Sequence, residues 1–243
     1  MLLAWILVFS VLGSFGAIGG AALLLIFPDD VRKRLVPALV AYAAGTLLGA
    51  AFLGMIPAAA GSAPIRAVSA AVLAGIILFF LLERLVLWRH AHEVGASSPP
   101  AAPLILIGDA FHNFVDGVVI AAAFLTSVPL GVAAGLAVAA HEVPQEVGDF
   151  AILLDGGYGR RKALALNTLS ASATLPGALA GYLWLADVEG LVPYVLALSA
   201  ASFIYIAVAD LLPGLHRRPA GGWVQLALIL AGICTIAAFH FRQ

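Results

Sequence analysis

Two short groups of polar residues interrupt the long apolar runs of this sequence. The first is His112-Asn113-Phe114-Val115-Asp116-Gly117, and the second is His141-Glu142-Val143-Pro144-Gln145-Glu146. Imidazole nitrogens, carboxylates and amide oxygens are ligands that suit divalent transition metals. A charged side chain near the centre of a bilayer costs about 3 kcal/mol on insertion scales, so such groups need a compensating partner. The residue types therefore predict a metal site in a hydrocarbon environment.

The composition indicates a polytopic membrane protein. Of the 243 residues, 63% are hydrophobic and 10% are charged, whereas a soluble domain is about half apolar and about a quarter charged. The formal net charge of −1 offers no basic surface, so nucleic acid is not expected as a partner. The single cysteine, Cys234, excludes an internal disulfide.

Eight segments reach the roughly 20 apolar residues that a helix needs to cross a bilayer. The predicted spans are about 2–27, 35–58, 65–88, 102–126, 129–154, 162–186, 191–213 and 221–240. The longest break, Arg89 to Ala102, contains Ser97-Ser98-Pro99-Pro100 and is predicted to be a loop. We therefore expect an all-α membrane protein with a single transmembrane domain over residues 1–243.

Basic residues lie almost entirely on one side of these spans. They follow the first, third, fifth and seventh segments, at Arg32, Lys33, Arg34, Arg84, Arg89, Arg160, Arg161, Lys162, Arg217 and Arg218. The opposite side has only Arg66 and Arg242. Because cytoplasmic loops carry the excess of Lys and Arg, this pattern predicts a protein of the cell (inner) membrane with both termini outside the cytoplasm.

Helical geometry gathers the polar residues of the fourth and fifth segments into two stripes. At about 100° per residue, one arc of the fourth segment contains Asp109, His112, Asn113 and Asp116. One arc of the fifth contains His141, Glu142, Gln145, Glu146 and Asp149. If the stripes face each other, the site has two imidazoles, several carboxylates and two amides. The lack of a thiolate or a nearby methionine argues against copper(I).

Two structural alternatives account for parts of this pattern. A single buried Asn or His commonly serves only as an interhelical hydrogen-bond partner, whereas nine polar groups on neighbouring helices favour an ion pathway. The small-xxx-small pairs Gly16/Gly20, Gly45/Gly49, Gly131/Gly135 and Gly177/Gly181 are interpreted as contacts within the helix bundle. A homodimer face is the alternative interpretation of these pairs.

Taken together, the two motifs resemble those of the ZIP family of divalent-metal transporters (Zrt/Irt-like proteins). His-Asn-x-x-Asp-Gly followed by His-Glu-x-Pro-x-Glu-x-Gly-Asp is similar to that family's metal motifs, and Phe80–Arg84 and Phe203–Pro213 are also similar. The sequence looks like a prokaryotic member close to the branch whose fifth helix reads His-Glu-x-Pro-His-Glu. The resemblance implies eight helices in a 3+2+3 arrangement, with helices 1–3 and 6–8 as inverted repeats.

The resemblance also implies roles for individual residues. His112, Asp116 and His141 resemble the ligands of the transported ion, and Asn113 and Glu142 resemble ligands of a neighbouring second metal position. Gln145 lies one turn after His141 and replaces the second His of the branch. A neutral amide is a poor bridging ligand. The implied substrate is Zn2+ or another divalent transition metal, and no organic cofactor is expected.

Other polar residues are assigned with less weight to the ion path or to the surroundings of the ligands. Asp109 precedes His112 by one turn and could orient it, while Asp149 could line an exit path. Relatives place a Glu on the sixth helix, where this sequence has Asn167 and Ser170. The remaining candidates are Glu146 in the fifth segment and His90 and His92 in the loop region.

Together, these expectations predict a membrane transporter that imports divalent transition-metal ions and has no enzymatic activity. An intramembrane zinc-dependent hydrolase is the alternative, because His141-Glu142-Val143-Pro144-Gln145 is one substitution short of His-Glu-x-x-His. Gln145 removes a ligand that such an enzyme requires. A metal sensor is a third option, but no output domain is evident in the sequence. The expected partners are the divalent ion and the lipid bilayer.

Overall fold

The computed structural model describes residues 1–93, 101–216 and 222–240, and the regular secondary structure in these ranges is helical. Three long helices come first: α1 runs from Leu2 to Ile26, α2 from Asp29 to Ser62, and α3 covers Ile65–Glu93. The central pair is α4 (Ala101–Thr126) and α5 (Val128–Asp155). The remaining helices are α6 (Arg160–Ala171), α7 (Thr174–Leu185), α8 from Val192 to His216, and α9 (Gly222–His240).

Six of these helices are long and apolar enough to cross a membrane, judged by length and composition. They are α1, α2, α3, α4, α8 and α9. The chain is therefore a helical, multi-pass membrane protein. The fifth helix is also long, with 28 residues, but its polar stripe lowers its hydropathy.

The start of α2 differs from the sequence prediction. The helix begins at Asp29 rather than near residue 35. Asp29 and Asp30 lie in its first turn, where carboxylates interact favourably with the positive end of the helix dipole. The side chain of Arg32 donates a hydrogen bond to Asp29. These local interactions extend the helix beyond the apolar run.

The segment predicted as one helix over residues 162–186 is divided into α6 and α7 by a turn at Ser172 and Ala173. Hydroxyl groups satisfy carbonyls that the break leaves free. The Ser172 hydroxyl lies 2.6 Å from the carbonyl oxygen of Leu169, and the Thr174 hydroxyl lies 2.9 Å from that of Ala171. Hydropathy alone cannot reveal this break, because both halves are compatible with one continuous helix.

The helix α5 has a clear N-terminal signal. Ser127 adopts an extended backbone conformation, and its hydroxyl accepts a hydrogen bond from the backbone N–H of Leu130 at 3.3 Å. Pro129 follows in the first turn, where its missing N–H has no intrahelical partner to lose. The sharp turn between Thr126 and Val128 places α4 and α5 side by side, so their polar stripes can meet.

Widened turns interrupt two helices just before a proline. In α2 the turn covers Ala50–Met55 and is followed by Pro57; in α8 it covers Ile206–Leu211 and is followed by Pro213. Proline cannot donate to the carbonyl four residues earlier and its ring crowds that carbonyl. A turn with one extra residue relieves this conflict. A third widened turn, Leu12–Gly16 in α1, has no proline after it.

Glycines allow close backbone contact between helices. A β-carbon at Gly45 would come within 2.1 Å of the carbonyl oxygen of Ile229, and one at Gly177 within 2.0 Å of that of Phe114. Gly135 packs against the ring of Phe9, and Gly20 against Val143. These contacts lie within one chain, which favours the bundle interpretation of the glycine pairs over a dimer face.

Candidate metal centre

Four potential metal ligands converge between α4 and α5. The side chains are those of His112 and Asp116 from α4 and of His141 and Glu142 from α5. Asp116, His141 and Glu142 are fully buried, whereas 21% of the His112 side chain is exposed. The two motifs recognised in the sequence thus form one cluster, and His112 is its accessible member.

Five of the six distances among these four ligand atoms are set by the geometry of the two helices and are compatible with a single four-coordinate metal ion. The two Nε2 atoms lie 3.2 Å apart. The His112 Nε2 atom is 3.3 Å from Glu142 Oε1 and 3.7 Å from Asp116 Oδ2. The His141 Nε2 atom is 3.3 Å from Asp116 Oδ2 and 3.4 Å from Glu142 Oε1. A tetrahedron with edges of about 3.4 Å has its centre about 2.1 Å from each corner, which matches Zn–N and Zn–O bond lengths.

A backbone hydrogen bond selects the tautomer of the neutral His141 ring. Its Nδ1 atom lies 3.0 Å from the carbonyl oxygen of Ala137. Because a carbonyl oxygen only accepts, Nδ1 must carry the hydrogen, and Nε2 of the neutral ring keeps a lone pair for a metal. The ring also contacts Phe203 of α8, with 6.1 Å between ring centroids. The His141 side chain is therefore oriented toward the cluster before any ion arrives.

The carboxylates of the cluster lack hydrogen-bond partners. Among the described residues, neither side-chain oxygen of Asp116 or Glu142 has a hydrogen-bond partner, although the imidazole nitrogens lie 3.3–3.7 Å from Asp116 Oδ2 and Glu142 Oε1. A buried charge without a partner is costly. A divalent cation at the centre of the cluster would satisfy both carboxylates at once, which makes the residues present a good match for such an ion.

The Asn113 amide is engaged in hydrogen bonds. Its nitrogen donates to Asp109, at 3.0 Å from Oδ1 and 3.2 Å from the carbonyl oxygen. Its oxygen lies 2.9 Å from the hydroxyl of Thr174, whose single hydrogen is shared between this oxygen and the carbonyl oxygen of Ala171. Asn113 is completely buried at the contact between α4 and α7. The structure thus places this predicted ligand beside the cluster but gives its amide other partners.

The Gln145 amide, like that of Asn113, forms a hydrogen bond with Asp109. Its side-chain nitrogen lies 3.2 Å from Asp109 Oδ1, so the amide donates to the same carboxylate oxygen as Asn113. Gln145 is half-buried, one turn after His141. Asp109 thereby joins α4 to α5, a link that the sequence analysis did not foresee.

A second group of carboxylates adjoins the first cluster. It consists of Asp109, Glu142 and Glu146, with one oxygen from each lying within 4.8 Å of the others. All three side chains are buried. The sequence analysis had assigned Asp109 and Glu146 only to the surroundings of the ligands, because residue spacing does not show which carboxylates from two helices meet.

The remaining site residues predicted from the sequence either lie around this centre or have side chains outside the described residues. The nitrogen of Asn167 donates to the carbonyl oxygen of Glu146 at 3.2 Å, and Ser170 donates to the carbonyl oxygen of Asn167 at 3.0 Å. Asp149 is half-buried, farther along α5. His90 and His92 belong to the last turns of α3, and their side chains lie outside the described residues.

Two residues near the centre were given no role at the site by the sequence analysis. Thr174 fixes the amide of Asn113, and Phe203 contacts the ring of His141. Both are buried, and each comes from a helix other than α4 and α5. A threonine or phenylalanine in an apolar helix is ordinary, so only the packing of α7 and α8 against the central pair reveals these roles.

Comparison with known proteins gives a consistent result. A family model described as ZIP zinc transporter matches residues 88–240. Zinc transporter ZIP13 of Pongo abelii is 32% identical over 258 residues, which covers 95% of this chain and 77% of that protein. Zinc transporter ZIP4 of Homo sapiens is 38% identical over 141 residues, or 52% of this chain and 22% of that protein. Zinc transporter ZIP10 of Homo sapiens is 33% identical over 139 residues, covering 17% of that protein.

Proposed function

Because the chain belongs to the ZIP family of zinc transporters, we propose that it imports divalent transition-metal ions, Zn2+ above all, into the cytoplasm. The observation that carries this proposal is the buried cluster of His112, Asp116, His141 and Glu142. The cluster lies in a bundle whose helices are apolar enough to span a bilayer. A passing divalent cation supplies the positive charge that its carboxylates need in hydrocarbon.

The surroundings of the cluster support passage rather than permanent binding. Toward the turn between α4 and α5, the cluster is closed by apolar side chains that are almost completely buried. They include Ile120, Phe124, Leu130, Ala134 and Val138. Toward the opposite end of α5, the polar side chains of Gln145 and Asp149 are half-buried. This distribution supports a path with an apolar layer on one side of the cluster and polar side chains on the other.

We assign the polar side to the cytoplasm. The end of α5 that carries Asp149 leads to Arg160, Arg161 and Lys162, and the same side of the bundle has Arg32, Lys33 and Arg34. The positive-inside rule places these residues in the cytoplasm. Both termini then lie outside, and the ion enters the cell by passing the apolar layer first. The expected location is the cell (inner) membrane.

We further propose eight crossings in a single transmembrane domain over residues 1–243. In this arrangement α6 and α7 together form one broken crossing, and α5 forms another. Matched features of α2 and α8 support inverted repeats on either side of α4 and α5. Each has a widened turn followed by a proline, and the widened turn of each packs against the regular part of the other. Such repeats move against each other in alternating-access transporters.

A zinc hydrolase is not supported. ZIP family members are transporters, not enzymes. A zinc protease of the His-Glu-x-x-His type needs a second His on the same helical face. Gln145 occupies that position, and its amide donates to Asp109. Glu142, which would be the general base of such an enzyme, instead lies 3.3 Å from His112 Nε2 as part of the ligand set.

Uptake of radioactive zinc into proteoliposomes tests the proposal. We expect saturable uptake by the wild-type protein and uptake at the level of empty vesicles for His112→Ala. Tyr42→Phe is the matched control, because it removes a hydrogen bond to Thr235 between α2 and α9 without touching the cluster. This control should transport normally. Unchanged saturable uptake in both His112→Ala and His141→Ala would refute this assignment of the ion path.

A further inference from the structure

A chain of hydrogen bonds connects three helices beside the four metal ligands. The Thr174 hydroxyl of α7 lies 2.9 Å from Asn113 Oδ1 in α4. The Asn113 nitrogen lies 3.0 Å from Asp109 Oδ1, and the Gln145 nitrogen of α5 lies 3.2 Å from the same oxygen. Thr174, Asn113 and Asp109 are buried, and Gln145 is half-buried. These four residues, named here the amide chain, connect α7 to α5 through α4.

The amide chain has a single direction. The backbone carbonyl and the ionised carboxylate of Asp109 only accept hydrogen bonds, so both amides turn their nitrogens toward Asp109. The oxygen of Asn113 therefore faces Thr174, and the hydroxyl must donate to it. Every donor in the amide chain points toward Asp109. The orientation of the Asn113 amide consequently depends on Thr174.

Two members of the amide chain lie next to metal ligands in the sequence of their helices. Asn113 directly follows His112 in α4, and Gln145 lies one turn after His141 in α5. A rotation of either helix that displaced these amides would also displace the imidazoles. A binding site keeps its geometry only if its side chains stay within about 0.5 Å of their positions. The two N–H groups on one oxygen of Asp109 therefore fix how α4 and α5 are rotated relative to each other.

Close packing of α4 against α7 holds Thr174 at this position. Thr174 is the first residue of α7, directly after the turn that separates this helix from α6. A β-carbon on Gly117 would come within 2.0 Å of the Thr174 carbonyl oxygen, and one on Gly177 equally close to that of Phe114. The backbone around Thr174 is thus fixed against α4. Its hydroxyl transmits the position of α7 to the two amides.

We propose that Thr174 is a positioning residue of the metal centre, which acts through the other members of the amide chain to hold α4 and α5 at the rotation where the ligands of one ion converge. This inference rests on the proposed function and refines it, because it concerns the ion held by those ligands. A threonine that only joined α4 to α7 would have no influence on Gln145 in α5. The zinc affinities of variants at the two ends of the amide chain should therefore depend on each other.

A double-mutant cycle of zinc binding between the two ends tests this inference. Thr174→Val keeps the shape of the side chain and removes the hydroxyl, and Gln145→Met keeps the length and removes the amide. We expect each variant to bind Zn2+ about tenfold more weakly than the wild type in calorimetric titration. The double variant should also lose only about tenfold, because the first substitution already interrupts the chain. Thr174→Ser retains the hydroxyl and should bind Zn2+ within about twofold of the wild type.

Cobalt gives a readout that a loss of stability alone would not change. Coordination geometry is diagnostic for transition metals, and Co2+ absorbs visible light more strongly in a tetrahedral site than in an octahedral one. The wild type and Thr174→Ser should give the strong spectrum. Thr174→Val and Gln145→Met should give a weaker one, because displaced ligands leave room for water. Thr168→Val is the matched control, since the Thr168 hydroxyl bonds to the Leu164 carbonyl oxygen within α6, and it should match the wild type.

Three results would overturn the inference. The first is a double variant whose loss of affinity is the product of the two single losses, about a hundredfold. The second is wild-type affinity and a wild-type cobalt spectrum in Thr174→Val. The third is an unchanged cobalt spectrum in Gln145→Met, which acts at the half-buried end of the chain and remains informative if Thr174→Val does not fold.

Zinc uptake by the same preparations separates this inference from the proposed function. Uptake by the wild type together with independent effects of the two substitutions would contradict the role of Thr174 alone. Coupled effects on zinc binding without uptake by the wild type would contradict transport alone.

Discussion

Gly117 lies so close to Thr174 that a β-carbon on Gly117 would come within 2.0 Å of the Thr174 carbonyl oxygen. This contact brings α4 against α7 at the height of the metal centre, and the same threonine holds the amide of Asn113. The glycine that ends the first metal motif is therefore required by packing. Its absence of a side chain allows the hydrogen-bond network around Asp109 to form.

We expect Gly117→Ala to destabilise the protein, because an added methyl group would collide with backbone that cannot move freely. Overpacking of this kind costs about 1–3 kcal/mol, and thermal unfolding in detergent would measure it. Gly108→Ala, on the same helix with nothing within 4 Å of its β-carbon position, is the control. Equal unfolding temperatures for both variants would show that the close contact is not required.

Zinc should stabilise the folded protein. The unpartnered carboxylates of Asp116 and Glu142 gain a counter-ion on binding, and a ligand that binds only the native state at 100 times its Kd adds about 2.7 kcal/mol. The melting temperature should therefore rise with Zn2+ and fall with a chelator in the wild type. His141→Ala should show little of this response. A similar rise in that variant would place the stabilising ion elsewhere.

Metal affinity should fall in acid. The ion needs unprotonated Nε2 atoms on His112 and His141 and ionised carboxylates on Asp116 and Glu142, because a bound proton occupies the lone pair that the metal uses. Calorimetric titration with Zn2+ at decreasing pH, in buffers of differing ionisation enthalpy, should show weaker binding and proton release. Affinity independent of pH would indicate that these side chains are not the ligands.

Gln145→His should add a zinc ligand beside the buried carboxylates of Asp109, Glu142 and Glu146. The wild-type amide donates to Asp109 Oδ1, whereas an imidazole at this position could offer a nitrogen ligand beside Asp109. We expect two Zn2+ per chain in this variant, measured by elemental analysis after dialysis. Gln145→Met has similar length and no nitrogen, so it should not gain zinc. An unaltered metal count in Gln145→His would contradict the expected gain.

Replacement of Pro57 or Pro213 by alanine should slow transport without reducing zinc binding. Alanine restores an N–H donor, so the widened turns Ala50–Met55 and Ile206–Leu211 can return to regular helix, which would stiffen α2 or α8. Uptake rate and zinc stoichiometry would be measured together. Pro37→Ala is the control, since Pro37 lies inside α2 away from the widened turn. An equal effect at Pro37 would argue against a role for the turns.

Much of the architecture follows from composition. Long apolar runs must become helices in a bilayer, because there every backbone polar group has to be satisfied within the chain. The described residues are helical where the sequence predicts apolar segments, with differences at the start of α2 and at the break between α6 and α7. Those differences depend on local hydrogen bonds of Asp29, Ser172 and Thr174, which hydropathy does not register.

The sequence by itself determined that ionisable groups lie among apolar helices, and that His112, Asp116, His141 and Glu142 could meet. Spacing along one helix decides which residues share a face, and the cost of burying charge selects metal ligands as the explanation. Only the tertiary structure decided that Asn113 and Gln145 direct their amides to Asp109, and that Asp109 and Glu146 complete a second group of carboxylates. These pairings depend on the rotation and height of α4, α5 and α7 relative to one another, which backbone contacts such as Gly117 on Thr174 fix and no single-helix pattern encodes.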